Sequence, residues 1–217
     1  MTHQIPEFPD YQFGSIYCIG RNYAKHAKEL KNEVPSEPVV FLKPRSSLIF
    51  NGDSIKIPPK TNNVHHEVEM VVLIGKTTAD ISIDHALESV MAVGVGLDMT
   101  ARDLQSEAKL KGLPWTLAKG FDSFAPIGNL EPYHSGIKLS DLNLTVSVNG
   151  EKRQSGNTSD MLFNVASLIS YLSKQFTLTA GDLIFTGTPE GVSAVEKGDL
   201  IKASLGNGLS TLQVHVS

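Results

Sequence analysis

A β-rich α+β fold is what this sequence predicts, carried by one domain over residues 1–217 with residues 1–14 as a surface extension. Two observations lead there. Short apolar, β-branched runs bounded by Gly, Pro or Asn recur along the chain, at 15–19, 39–43, 68–74, 91–97 and 142–148. Helical patterning is confined to a few stretches, the clearest from Met161 to about Lys174. A hydrophobic content of 41% over 217 residues is enough to bury a sizeable core.

Composition also limits the partners. A net charge of −4 and a pI near 6.0 leave no basic surplus for nucleic acid or an anionic membrane surface. Cys18 is the only cysteine and has no internal partner. No apolar span reaches the roughly 20 residues that cross a bilayer, and the N-terminal residues lack the basic, then apolar pattern of a signal peptide. A soluble cytoplasmic protein is expected.

Taken in order, residues 1–14 are polar and proline-punctuated, which suits a surface wrap before the strand at 15–19 that Gly20 ends. Arg21 to Leu30 reads as a turn into a short helix, with His26 and Glu29 at i and i+3 on one face. A carboxylate beside an imidazole fixes its tautomer and raises its basicity, as a water-activating base requires, although a lysine-flanked surface helix would read the same way. The strand at 39–43 closes at Pro44, and Asn51-Gly52-Asp53 is expected to turn residues 47–49 into a hairpin with 54–57.

Asn63 to Gly75 carries the most telling pattern. Its second half is the apolar run of a buried strand, while its first half alternates so that His65, Glu67 and Glu69 share a face. At a rise of roughly 3.3 Å per residue the two carboxylates start about 6 to 7 Å apart at the backbone. They can converge on one hard cation such as Mg²⁺ or Mn²⁺, which prefers oxygen ligands; the alternative is a solvated edge strand whose acids meet lysines. Residues 81–88 read as a helix, and the small-residue strand at 91–97 delivers Asp98 at its end. Thr100 and Asp103 form a capping-box pattern for a helix through Leu110, and with helical geometry from Asp98 onward Asp98, Arg102 and Gln105 share a face. Residues 114–128 gather Trp115, Phe121 and Phe124 around Lys119, with Asp122 its nearest candidate counter-charge.

Farther on, residues 142–148 alternate as a half-buried strand, and Asn149-Gly150 is a strong hairpin signal. The run Asn157-Thr158-Ser159-Asp160 is expected to cap the helix from Met161, whose core stripe is Leu162, Val165, Leu168, Ile169 and Leu172. Residues 181–192 join a strand to a small-residue turn that bears Thr188.

Five fragments in order then carry a resemblance from about Ile16 to Val216: Ile19-Gly20-Arg21-Asn22-Tyr23, His65-His66-Glu67-Val68-Glu69, Gly96-Leu97-Asp98-Met99-Thr100-Ala101-Arg102-Asp103, Lys119-Gly120-Phe121-Asp122 and Phe185-Thr186-Gly187-Thr188-Pro189-Glu190-Gly191. Together they resemble the fumarylacetoacetate hydrolase family, nearest its single-domain acylpyruvate hydrolase and oxaloacetate-acting branch. The resemblance implies layered mixed β-sheets in a barrel-like roll, a homodimer, and a Mg²⁺ or Mn²⁺ site beneath a mobile lid. It implies Glu67, Glu69 and Asp98 as metal ligands and His26 with Glu29 as the lid dyad. It further implies Lys119, Arg102 and Gln105 facing the substrate carbonyl or the developing oxyanion, and Thr188 as a contact to the substrate carboxylate. The implied activity is metal-dependent carbon–carbon cleavage of 2,4-dioxo acids such as acetylpyruvate or fumarylpyruvate, giving pyruvate and a carboxylate. Decarboxylation or keto–enol tautomerisation of oxaloacetate is the alternative on the same site. A non-catalytic small-molecule binding relative is the alternative of another class.

Overall fold

A computed structural model describes residues 4–29 and 33–217. Its centre is an eight-stranded mixed sheet in the order Val39–Lys43, Ile16–Gly20, Leu183–Phe185, Val68–Ile74, Val90–Leu97, Ala125–Ile127 and Leu48–Phe50, with Glu131–Pro132 paired on a further part of Val90–Leu97. The sheet curls into a half-barrel. A five-stranded sheet, ordered Glu151–Asn157, Asn143–Val148, Leu200–Leu205, Ser210–Val216 and Ser54–Ile55, packs on it.

Every residue of Val68–Ile74 is buried, which explains why the strand reads as a continuous apolar run. Val68, Met70, Val72 and Ile74 face a core shared with Leu144, Val146, Ile201 and Val214 of the second sheet. Val71 and Leu73 face the other way, against Ile16, Ile127, Leu183 and Phe185. Each such aliphatic side chain contributes about 1.5–3 kcal/mol by burial, so the strand is anchored from both faces. The helix Val165–Gln175 closes one flank with Leu168, Ile169 and Leu172.

Away from the site the structure departs from the sequence reading at three elements. Residues 47–49 and 54–57 form no hairpin: Leu48–Phe50 runs parallel to Ala125–Ile127, and Ser54–Ile55 runs parallel to Ser210–Val216. The Asn51-Gly52-Asp53 turn therefore hands the chain from one sheet to the other, pinned by Gly52 N–H donating to Gln213 O at 2.8 Å. The helix expected from Met161 begins at Val165. Asn157 caps only a single 3₁₀ turn by accepting from Ser159 N, and Asn164 caps the helix by accepting from Ser167 N, each at 2.9 Å. Between them, Leu162 N and Phe163 N donate to the backbone and side-chain oxygens of Asn22, both at 2.8 Å, and this docking holds the segment out of the helix. Leu162 consequently lies 37% exposed instead of in the core stripe. The N-terminal extension, from Gln4, is a two-stranded hairpin that buries Ile5 and Phe13 in the second core cluster. Among the described residues no helix is long and apolar enough to cross a membrane.

Candidate active site

Glu67 sits at the break between Val64–His66, which belongs to a three-stranded sheet with Thr100–Ala101 and Ser193–Val195, and Val68–Ile74 of the central sheet. Asp98 follows directly on Val90–Leu97, and its N–H donates to Glu67 O at 2.8 Å, clipping the third acid to the first. Glu67, Glu69 and Asp98 are all buried, with carboxylate oxygens within 4.8 Å of one another. His65 does not join them. Its Nε2 pairs with Asn63 Oδ1 at 2.9 Å, and burial, then the charge of Arg102, holds its pKa down to about 4.

Lys119, at the end of the short helix Thr116–Lys119, places Nζ 2.8 Å from Glu67 Oε2 and 2.5 Å from Asp98 Oδ2. Asp122, expected as its counter-charge, is exposed, because the helix turns the lysine inward and leaves the aspartate outside. Lys43 lies beneath: its ammonium donates to the carbonyls of Met99 at 3.0 Å, Phe124 at 2.9 Å, and Lys119. With three protons directed at three carbonyls, it stands 2.7 Å from Asp98 Oδ1 but gives that oxygen no hydrogen bond.

Arg102 pairs with Glu67 Oε1 and donates to Gln105 Oε1 at 2.6 Å. The helix here is Arg102–Leu110 and does not reach back to Asp98, because Thr100–Ala101 is paired as a strand with Val64–His66. The capping box is also not formed. Asp103 accepts from Thr61 Oγ1 at 2.6 Å and Asn62 N at 3.1 Å, while the Thr100 hydroxyl donates to Asp98 O at 3.1 Å. Arg102 and Gln105 still share a helix face, and Asp98 joins them from the strand end.

The three acids differ in their protons. Burial would raise the pKa of Glu67, but Lys119 and Arg102 outweigh it and hold the carboxyl well below its usual range. Burial and then the charges of Asp98 and Glu67 push Glu69 well above it, opposed chiefly by Lys119 and by the Gly187 amide, which donates to Glu69 Oε2 at 2.7 Å. Gly187 can approach because it sits at φ +97°, where a Cβ would meet Asn22 Cβ at 2.6 Å. Three crowded, buried acids that offer an all-oxygen donor set fit a hard divalent cation.

The helix Ala24–Glu29 covers the cleft. His26 is buried, its Nδ1 lies 3.2 Å from Glu29 Oε2, and the same carboxylate accepts from Gly191 N at 3.1 Å. Burial lowers the His26 pKa, more than Glu67 and Glu29 raise it, and the ring is held neutral. Asn22 anchors the start of this segment through Nδ2, which donates to Thr186 O at 2.7 Å and Phe163 O at 2.9 Å. The expected continuation through Leu30 lies outside the described residues.

Thr188 reaches the cleft from the turn after Leu183–Phe185, and its hydroxyl belongs to a buried network. Gln154 Nε2 donates to Pro189 O at 2.8 Å and Thr188 Oγ1 at 2.9 Å, and Gln154 Oε1 accepts from Val68 N at 3.0 Å. A carbonyl on one side and an N–H on the other leave the amide one orientation. His66 Nδ1, 2.9 Å from Gln154 Oε1, must then carry the proton, and Thr188 accepts from Gln154, which frees its own proton for a ligand.

All nine site residues named from the sequence therefore meet around one cleft: His26, Glu67, Glu69, Arg102, Gln105, Lys119 and Thr188 line it, Asp98 joins the acids, and Glu29 braces His26. The sequence reading assigned no site role to Lys43, Gln154, Lys109 or Arg21, although Arg21 stands in the first of the five fragments. Arg21 and Lys109 line the same cleft. Lys109 looks like any charged helix residue. Lys43 left one signal, a lysine closing an apolar strand against Pro44.

The chain is 50% identical over 201 residues to oxaloacetate tautomerase FAHD1, mitochondrial, of Arabidopsis thaliana, covering 93% of this chain and 90% of the relative. It is 49% identical over 197 residues to oxaloacetate decarboxylase, mitochondrial, of Dictyostelium discoideum, covering 90% of each. Among solved structures it is similar to fumarylpyruvate hydrolase from Pseudomonas aeruginosa in complex with Mn²⁺ and pyruvate, with a TM-score of 0.90, 40% identity, and 95% of this chain and 90% of that one covered. Residues 15–217 match the family described as fumarylacetoacetate (FAA) hydrolase C-terminal, and the chain belongs to that family.

Proposed function

We propose that the protein acts on oxaloacetate with a divalent metal cofactor, as a keto–enol tautomerase with decarboxylation as a second outcome at the same site. The observation that carries this is the buried acid triad sharing one cleft with the cationic Lys119 and the neutral His26. The oxaloacetate-acting relatives, at 50% and 49% identity against 40% for the fumarylpyruvate hydrolase, reverse the order in which the sequence reading ranked the two reactions.

Glu67, Glu69 and Asp98 would hold Mg²⁺ or Mn²⁺, which when bound supplies a Lewis acid to the carboxylate and 2-keto oxygens of a keto acid. His26, oriented by Glu29, removes a proton from carbon 3. Lys119, with Gln105 and Arg102 beside it, faces the oxygen on which negative charge gathers and can return a proton there. Thr188 donates its free hydroxyl proton to the substrate carboxylate. Hydrolysis of a 2,4-dioxo acid is the second reading, favoured by the likeness to fumarylpyruvate hydrolase; there the His26–Glu29 pair would activate water. A homodimer belongs to the proposal, supported by Leu110, Leu113 and Leu117, which are 89%, 54% and 80% exposed. So does action in the cytoplasm, although the two oxaloacetate-acting relatives are mitochondrial.

The test is an assay of Mg²⁺- or Mn²⁺-loaded protein with oxaloacetate, acetylpyruvate and fumarylpyruvate, following loss of enol absorbance, release of CO₂ and formation of the free acid separately. Enol loss that outpaces CO₂ release is expected. Cleavage of fumarylpyruvate with no effect on oxaloacetate would overturn the first reading in favour of the second.

A further inference from the structure

Five cationic side chains surround the three buried acids, and two of them have no acid of their own. Lys43 and Lys119 stand against Asp98, and Lys119 and Arg102 against Glu67. Among the described residues neither Arg21 nor Lys109 forms an ion pair, yet both line the cleft. They share one wall. Lys109 Nζ lies 5.3 Å from the centroid of the Trp115 ring, and the same ring lies against Gly20, where a Cβ would meet it at 3.3 Å, one residue before Arg21.

Two further features mark this wall. Arg21 is held at φ +60°, a left-handed conformation that disfavours any residue bearing a Cβ, and its Nε is buried without a hydrogen-bond partner. Lys109 is desolvated and then crowded by Arg102 and Arg21, which hold its ammonium down to about 8. Backbone strain, an orphaned donor and unmatched positive charge on one wall select for a negatively charged ligand group.

We propose that Arg21 and Lys109 form a second anion subsite, which takes the substrate carboxylate remote from the one at the acid triad and so favours dianionic keto acids over monoanionic ones. The proposal rests on the keto-acid reading given above and names the residues that set its substrate class. A four-carbon keto diacid, or an acylpyruvate ending in a carboxylate, would use both subsites. An acylpyruvate with a neutral tail would leave the Arg21–Lys109 wall unmatched.

Lys109→Met keeps the aliphatic stem on Trp115 and removes the charge, and Lys109→Arg restores it. Calorimetry on Mg²⁺-loaded protein would compare malate with lactate, which share a 2-hydroxy acid head and differ by the second carboxylate. A charge-assisted contact corresponds to roughly ten- to hundredfold in affinity. Wild-type protein is therefore expected to prefer malate by about that factor, and Lys109→Met to lose most of the preference with lactate binding unchanged. In turnover, the variant should lose kcat/KM for oxaloacetate through KM while acetylpyruvate is spared, with Lys109→Arg recovering the loss. Equal affinity for malate and lactate in the wild type, or equal losses for both ligands in Lys109→Met, would overturn the subsite. A retained malate preference without turnover of any keto acid would remove the proposed reaction and leave the subsite standing.

Discussion

At His26, burial and charge pull in opposite directions. Desolvation lowers the pKa from 6.5, the negative charge of Glu67 and the hydrogen bond to Glu29 raise it, and burial wins. A base must be neutral to accept a proton, so kcat/KM should stay level as pH falls through 6.5 and drop only in more acid solution. Glu29→Gln removes a group that raises the pKa, so the acid limb should move still lower while kcat falls by roughly tenfold or more from lost orientation and basicity. An acid limb above 6.5 in the wild type, or one that shifts upward in Glu29→Gln, would contradict this balance. The dyad was legible in the sequence because its partners are one helical turn apart. The partners of Lys119 were not: Asp122 is three residues away, whereas Glu67 is 52 residues away and adjoins only through the fold. Gln154 was hidden for another reason. It stands in the polar run Glu151-Lys152-Arg153-Gln154-Ser155, and only strand pairing shows that it alone of the five turns inward, 1% exposed.

The elements read most directly were those specified by local chemistry. Asn149 and Gly150 take φ +52° and +83°, as a two-residue hairpin turn needs, and the buried strand Val68–Ile74 announced itself by its unbroken apolar run. Helix starts depart from the local capping patterns where a tertiary partner is stronger: Asp103 is taken by Thr61, and the amides of residues 162–163 dock on Asn22. Of the described residues of the covering helix, Ala24–Glu29, only His26 and Ala27 are buried, so little apolar surface holds it down. It is latched by Glu29 on Gly191 N and by an exposed Lys25–Glu190 pair at 3.7 Å, a pair worth little on its own. Its amides should therefore exchange much faster than those of Val68–Ile74, and slow when Mg²⁺ and oxalate fill the cleft beneath. Equal exchange of the helix with and without oxalate would mean that it does not act as a lid.

For the whole molecule, the acid triad stores repulsion that a cation relieves. Mg²⁺ or Mn²⁺ at about one hundred times its dissociation constant should stabilise the fold by about 2.7 kcal/mol, a rise in Tm of roughly 5 to 10 °C for a chain of this size. Glu69→Gln should abolish that rise without lowering the Tm of metal-free protein, because the charges of Asp98 and Glu67 oppose its ionisation and burial already favours its neutral form. Asp98→Ala differs, since it leaves Lys43 a buried cation with no carboxylate and takes from Lys119 one of its two, and should cost about 3–5 kcal/mol. A metal-induced rise retained in Glu69→Gln would remove that residue from the ligand set. The topology of the central sheet also sets an order of events on the ribosome. Val68–Ile74 and Val90–Leu97 are antiparallel neighbours made early, and their pairing sets Glu69 beside the strand end that delivers Asp98. The closing strand Leu183–Phe185, on which Ile16–Gly20 also waits, and the Gly187 amide that meets Glu69 are synthesised nearly ninety residues later. Until that segment is made, the central sheet lacks the strand between Ile16–Gly20 and Val68–Ile74, and the acidic cleft lacks its Gly187–Thr188 wall.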